Sequence, residues 1–309
     1  MIITPAGSDI LDPEMKLINY DAPKMAELAG RTCYKSEDKI TDTSYKDFME
    51  MIVKRGHTSV LEHGGVYLKF TSSASPQLSS QLFRHRFTFM RSGQQQGRSY
   101  SFVYTNLRAI WELWPELYQC IMNRTELPKG VHLFTPAQDD PWRQLVVRFT
   151  VDRGVTHELV RQRDASFSQE STRYCNYSNG KFGSAITFVD PFFWAYDSEE
   201  YTIWKDVCMY CETGYKALID LGAKPEEARS VLPNSTKSEI VMSTSLNGWK
   251  YIFSLRVPTS AHPQMREVMI PLYNEFIEHE LILGDDITVS LEEKLHLLFP
   301  EVFDPNLHL

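Results

Sequence analysis

The sequence predicts an α+β fold, with an antiparallel or mixed sheet and packed helices. Stretches with strand character concentrate before residue 190 and helical ones after it, as in an α+β layer arrangement. They do not alternate as a βαβ repeat does. No Gly-x-Gly-x-x-Gly occurs, so a Rossmann unit for a dinucleotide is not indicated.

The elements follow in order. Residues 23–35 and 44–55 read as helices; Ser44 suits a cap, with Asp47 at the capping-box position. After GHTSVLEH, rough alternation over 65–70 suggests a strand. Residues 71–99, rich in Ser and Gln with Gly93 and Gly97, read as irregular. A strand is expected over 100–104, helical material over 107–122 and a Pro- and Gly-containing loop over 125–141. LVVRFTVD at 145–152 reads as a strand, Arg153-Gly154 as a turn and 155–163 as a helix with Leu159 and Val160 on its apolar face. Residues 184–189 suggest another strand. A long helix over 200–221 stops at Gly222. Pro225 opens the next helix at an allowed position. Helices over 249–256 and 264–280 complete the reading.

The bulk numbers bound the function. The 309 residues are 42% apolar and 23% charged, as in soluble globular proteins. No apolar run approaches the ~18 residues of a membrane span. The first residues lack a basic region followed by an apolar one, so a secretory signal is not expected and a cytoplasmic location is. A formal charge of −8 argues against bulk nucleic-acid binding. Cys33, Cys120, Cys175, Cys208 and Cys211 have no framework spacing, and reduced thiols are expected. Cys208-x-x-Cys211 has no second Cys or His pair nearby, and His57 and His63 around Glu62 lack a third ligand, so no metal site is expected.

The densest chemistry lies at 161–174, RQRDASFSQESTRY. Three guanidiniums, each a rigid fork of donors, suit a multiply charged anion better than a packed core. Arg161-x-Arg163 followed by Ser171-x-Arg173-Tyr174 resembles the signature of the flavin-dependent thymidylate synthases, which usually have His where this chain has Gln162. Four other segments resemble the family in order: 56–63, 228–233, Asn247, and Leu255-Arg256 with His262-Pro263-Gln264. The resemblance covers 16–70 and 145–280. It implies a single domain over 1–309 with that family's fold, in which 71–144 looks like an insertion.

The resemblance implies reductive methylation of dUMP to dTMP. Methylenetetrahydrofolate would give the carbon, and FAD reduced by NADPH would give the hydride. Arg256 would be the catalytic group at the pyrimidine edge. Glu158, Gln169, Glu170, Ser171, Thr172, Arg173 and Arg229 would bind dUMP with it. Ser59, Glu62, Arg161, Gln162, Arg163, Asp164, Gln169 and Asn247 would bind FAD. A homotetramer with sites at subunit junctions is implied too. Two other readings stand beside this one: a related C5-modifying enzyme such as a hydroxymethylase, and a non-catalytic nucleotide- or flavin-binding paralogue.

Two details remain. Arg84-His85-Arg86 followed by Arg98-Ser99-Tyr100 echoes the main motif, but its first Arg and its Tyr are 16 positions apart against 13, with no matching serine. It reads as a local basic loop, although His85 could reach the site and compensate for Gln162. Trp249 and Phe253, four apart, read equally well as helix core.

Overall fold

The computed structural model describes residues 1–71, 76–95, 97–171 and 185–282. In chain order the elements are β1 (Ile2–Thr4), β2 (Gly7–Leu11), α1 (Ala22–Tyr34), α2 (Tyr45–Lys54), β3 (Gly65–Thr71), α3 (Pro76–Arg84), β4 (Phe89–Gln95), β5 (Arg98–Asn106), α4 (Leu107–Leu113), α5 (Pro115–Asn123), β6 (Val131–Leu133), β7 (Gln144–Asp152), α6 (Arg153–Leu159), β8 (Ser166–Gln169), β9 (Thr187–Val189), α7 (Glu199–Asp220), α8 (Pro225–Ala228), β10 (Lys237–Ser245), α9 (Leu246–Arg256) and α10 (Pro263–Glu278). Among the described residues, two four-stranded sheets form, ordered β2-β7-β10-β8 and β4-β5-β3-β6. Every pairing in them is antiparallel, while β1 and β9 pair in parallel. The α+β expectation holds.

Several boundaries differ from the sequence reading. The 71–99 stretch, read as irregular, contains α3 and β4. The helix expected over 107–122 is two, broken at Trp114, because Pro115 cannot continue the first. α6 starts at Arg153 rather than 155, since the Asp152 carboxylate accepts from Val155 N at 2.7 Å and caps it. It ends at Leu159, so Arg161 to Arg163 follow the helix rather than belong to it. Ser44 precedes α2 but spends its hydroxyl on Thr41 instead of capping. The largest correction is β10, a central strand after residue 190 with no counterpart in the sequence reading.

Two cores hold the sheets. On the first sheet, Phe149, Ile240 and Met242 pack under Trp249 and Phe253 of α9 and Phe276 of α10. Phe253 meets Phe276 edge-on, with ring centroids 5.0 Å apart. Trp249 and Phe253 are thus helix core, and the indole N–H is satisfied by Leu145 O at 3.2 Å. On the second sheet, Leu68 and Val103 pack with Phe48 and Ile52 of α2, Ile110 of α4 and Leu117 of α5. α1 packs closely there: a Cβ on Gly30 would lie 2.7 Å from the Phe48 ring.

Candidate active site

β10 runs into α9 at Ser245. Its hydroxyl accepts from Gly248 N at 3.1 Å and caps the helix. Gly248 is required by space: an added Cβ would strike Thr244 Oγ1 and lie 3.1 Å from Thr244 Cβ. Thr244 Oγ1 in turn donates to Asp164 O at 2.9 Å, tying the segment after α6 to the end of β10. The second sheet faces this junction with Tyr67, with residues 104–106 and with the 86–89 segment that leads into β4. Between them lies a cavity of about 450 Å³, a volume typical of small-molecule sites.

Its walls are aromatic and its edges polar. Phe89 stacks on Trp142 with centroids 3.5 Å apart and planes 13° from parallel. Tyr67 and Tyr251 add ring surface, and Asn106, Gln144, Gln162 and Asn247 add carboxamides. Tyr67 OH accepts from Gln144 N at 2.9 Å, and burial pushes its phenol up to about 12, so it stays neutral.

Three of the expected flavin residues, Gln162, Asp164 and Asn247, meet on this cavity. Arg161 and Arg163 are exposed and lie outside its lining, as does Ser59 on the 3-10 turn Thr58–His63. Glu62 is buried; its carboxylate pairs closely with Arg108 and lies 3.8 Å from Arg86.

The expected nucleotide residues fall into two groups. Arg256 at the end of α9 pairs with Glu158 at 3.3 Å. Gln169 donates to Thr156 Oγ1 at 3.1 Å and to Ser238 Oγ at 3.0 Å. Glu170 is buried against Lys237 at 3.3 Å and Lys35 at 3.9 Å, with Glu239 completing the cluster. Burial opposes the Lys237 charge, but Glu170 and Glu239 hold its ammonium above its ordinary value. Ser171 is half-buried, and Arg229 sits exposed on the 3-10 turn Arg229–Val231. Thr172 and Arg173 lie outside the described residues.

Sequence reasoning missed His63 as a structural tie. It is fully buried, and its two ring nitrogens are 2.9 Å from Ser243 Oγ and 2.9 Å from Ser168 Oγ. Burial lowers its value to about 3, so the imidazole is neutral and joins the 3-10 turn to β8 and β10. His85, the candidate substitute for an imidazole at 162, bonds Glu112 at 2.9 Å and does not line the cavity; its neighbour Arg86 does. Cys208 and Cys211 lie on α7, and among the described residues no group of His, Cys, Asp and Glu is placed to hold a metal. No described helix is long and apolar enough to cross a membrane.

The sequence model of the thymidylate synthase complementing protein family matches residues 16–118 and 132–279, taking in all the residues that line the cavity and both four-stranded sheets apart from β2 and the first residue of β6. The chain belongs to this family. Among relatives, the flavin-dependent thymidylate synthase of Pyrococcus furiosus is 34% identical over 128 residues, which are 41% of this chain and 52% of that protein. The flavin-dependent thymidylate synthase of Geobacter sulfurreducens is 29% identical over 122 residues, 40% of this chain and 51% of that protein. The chain thus spans about half the length of the curated relatives it matches. A UMP/dUMP methylase, PolB from Streptomyces cacaoi, aligns over 91% of this chain and 95% of its own at 13% identity, with a TM-score of 0.41. That likeness is too distant to carry an argument. Gln162 and Arg86 both line the cavity in this member of the family.

Proposed function

We propose that the protein is a flavin-dependent thymidylate synthase, converting dUMP to dTMP. Methylenetetrahydrofolate would be the carbon donor, and NADPH would reduce the FAD. The observation that carries this reading is the convergence of Gln162, Asp164 and Asn247 on one aromatic-walled cavity, in a chain of this family. The donor set fits a flavin: ring faces for a flat heterocycle, and carboxamides and hydroxyls for its polar edge. Bound there, FAD would supply hydride.

The chain's own residues would bind and polarise the nucleotide. For C5 to attack the one-carbon unit the pyrimidine must first be made electron-rich, and the ionised ring carries its negative charge on the N3 and O2 edge. A preorganised Arg256 guanidinium stabilises charge where it develops. Glu158 holds that guanidinium in place before substrate arrives. Arg229, Ser171 and Arg173 would share the phosphate through charge-assisted bonds. Gln169, fixed by Thr156 and Ser238, would form the wall between nucleotide and flavin. The chain would work as one domain, with the 71–144 segment an elaboration that lines the cavity, as a cytoplasmic homotetramer with sites at subunit junctions.

The test is dTMP formation from dUMP, with NADPH oxidation followed in parallel, for wild type, Arg256→Ala and Gln162→His. Wild type should turn over, Arg256→Ala should lose turnover by about a hundredfold or more, and Gln162→His should retain FAD. Wild type that binds FAD and dUMP but makes no dTMP would sink the proposal. Loss of the C5 hydrogen without any need for NADPH would point to hydroxymethylation instead.

A further inference from the structure

The Arg84-His85-Arg86 echo acquires a role from its placement. Arg84 is exposed and His85 is held by Glu112, but Arg86 reaches the cavity. Among the described residues that line this cavity, Arg86 is the one Lys or Arg, and Asp164 the one acid. Among the described residues, an anionic group entering here therefore meets one positive charge, and it comes from the echo rather than from the main motif.

The guanidinium is poised but uncommitted. Its carbon lies 4.1 Å over the Phe87 ring, which orients the plane. Its nearest acid, Glu62, is 3.8 Å away, too far for a hydrogen bond. Arg108 pairs more closely with that carboxylate, so Glu62 attracts Arg86 without consuming its donors. The Arg86 side chain is 72% exposed and makes no hydrogen bond to a described residue.

We propose that Arg86 binds the phosphate of the flavin cofactor in this cavity, supplying the positive charge that Arg161 and Arg163 do not bring to its lining. The ring would lie against Phe89, Trp142 and Tyr251, with its phosphate chain directed to the Arg86 end. A bidentate guanidinium–phosphate contact suits this arrangement better than a lysine would. The inference rests on the flavin reading above.

The test compares riboflavin, FMN and FAD binding by flavin fluorescence quenching in wild type, Arg86→Ala and Arg86→Lys. Arg86→Ala should weaken FMN and FAD by about ten- to a hundredfold, the worth of one charge-assisted contact, and leave riboflavin within about threefold. Arg86→Lys should fall between, keeping the charge but losing the fork. Thermal melts of both variants should match wild type, because the side chain is exposed. An equal loss for all three flavins would assign Arg86 a structural role and overturn the inference, as would unchanged FAD binding in Arg86→Ala. Wild type that binds none of the three overturns the flavin reading itself, and the inference with it.

Discussion

Replacing His63 with glutamine should remove a specific part of the protein's sensitivity to acid. In the folded state burial holds the imidazole at about 3, against an ordinary value of 6.5. The unfolded chain therefore takes a proton near pH 6.5 that the folded chain refuses until about pH 3. Stability contributed by this residue is present above 6.5 and is lost as pH falls toward 3. At pH 5 the unfolded state has gained about 1.5 units of protonation free energy, or ~2 kcal/mol at 1.36 kcal/mol per unit. That figure barely depends on the folded value, provided it stays below about 4. The carboxamide of the His63→Gln variant does not titrate, although at pH 7 the variant should be less stable by roughly 1–3 kcal/mol, because two buried hydroxyls lose good partners. The assay is urea unfolding of both proteins at pH 7 and pH 5. The difference between them should shrink by ~2 kcal/mol at the lower pH. Other titrating groups, among them Glu267 with the opposite sign, are common to both proteins and cancel. If both lose the same stability between pH 7 and pH 5, His63 is not a neutral buried tie and the reasoning fails.

Three further outcomes follow from the same geometry. Gly248→Ala should lower stability by roughly 1–3 kcal/mol in thermal melts and weaken flavin binding, although Ala is the better helix former by up to ~1 kcal/mol; both branches of Thr244 and its Cβ crowd the new methyl, so no rotamer relieves it. Glu267→Gln should stabilise the protein above pH 7 by about 1–3 kcal/mol, with the gain gone by pH 4.5, because burial and the charges of Asp152 and Asp190 raise this carboxyl to about 7 while its Oε2 is buried without a hydrogen-bond partner; denaturant midpoints across that pH range check it. Mixing inactive Arg256→Ala with inactive Asn247→Ala protein, after mild dissociation and reassembly, should restore part of the dTMP-forming activity, and two variants that stay inactive when mixed would argue against a site shared between copies.

What could be read from the sequence was what local pattern determines. The long helix α7 announced itself by periodicity, with Gly222 at φ +93° just past its end. The chemistry of 161–174 was visible from residue type and order alone. β10 was hidden because its KSEIVMSTS has only three consecutive apolar residues, whereas a central strand usually reads as a long apolar run. Ser238, Ser243 and Thr244 are nonetheless buried. Their partners are Gln169, His63 and the Asp164 carbonyl, all far away in sequence, so no local rule could count those hydroxyls as satisfied. Arg86 is hidden for a related reason: spacing sets the echo apart from the main motif, whereas its relevance is a matter of where β4 and β5 place the segment before them.

The two ends of α9 bear on how the site is completed. Asn247 stands in its first turn, on the cavity, and Arg256 at its last residue, paired with Glu158. Nine residues of α-helix separate them by roughly 13 Å along the axis. Trp249, Ile252 and Phe253 pack the helix into the first core, so this separation is a fixed dimension of the fold rather than a flexible one. Reacting atoms must approach to about 3–3.5 Å. A pyrimidine held at Arg256 and a flavin ring held beside Asn247 of the same α9 are therefore poorly placed to react unless the nucleotide spans the gap. A flavin cavity from one copy and an Arg256 from another can be brought together without bending the helix. On the proposed reading of the function, this separation favours a site assembled between subunits, with Asn247 of one copy beside Arg256 of another.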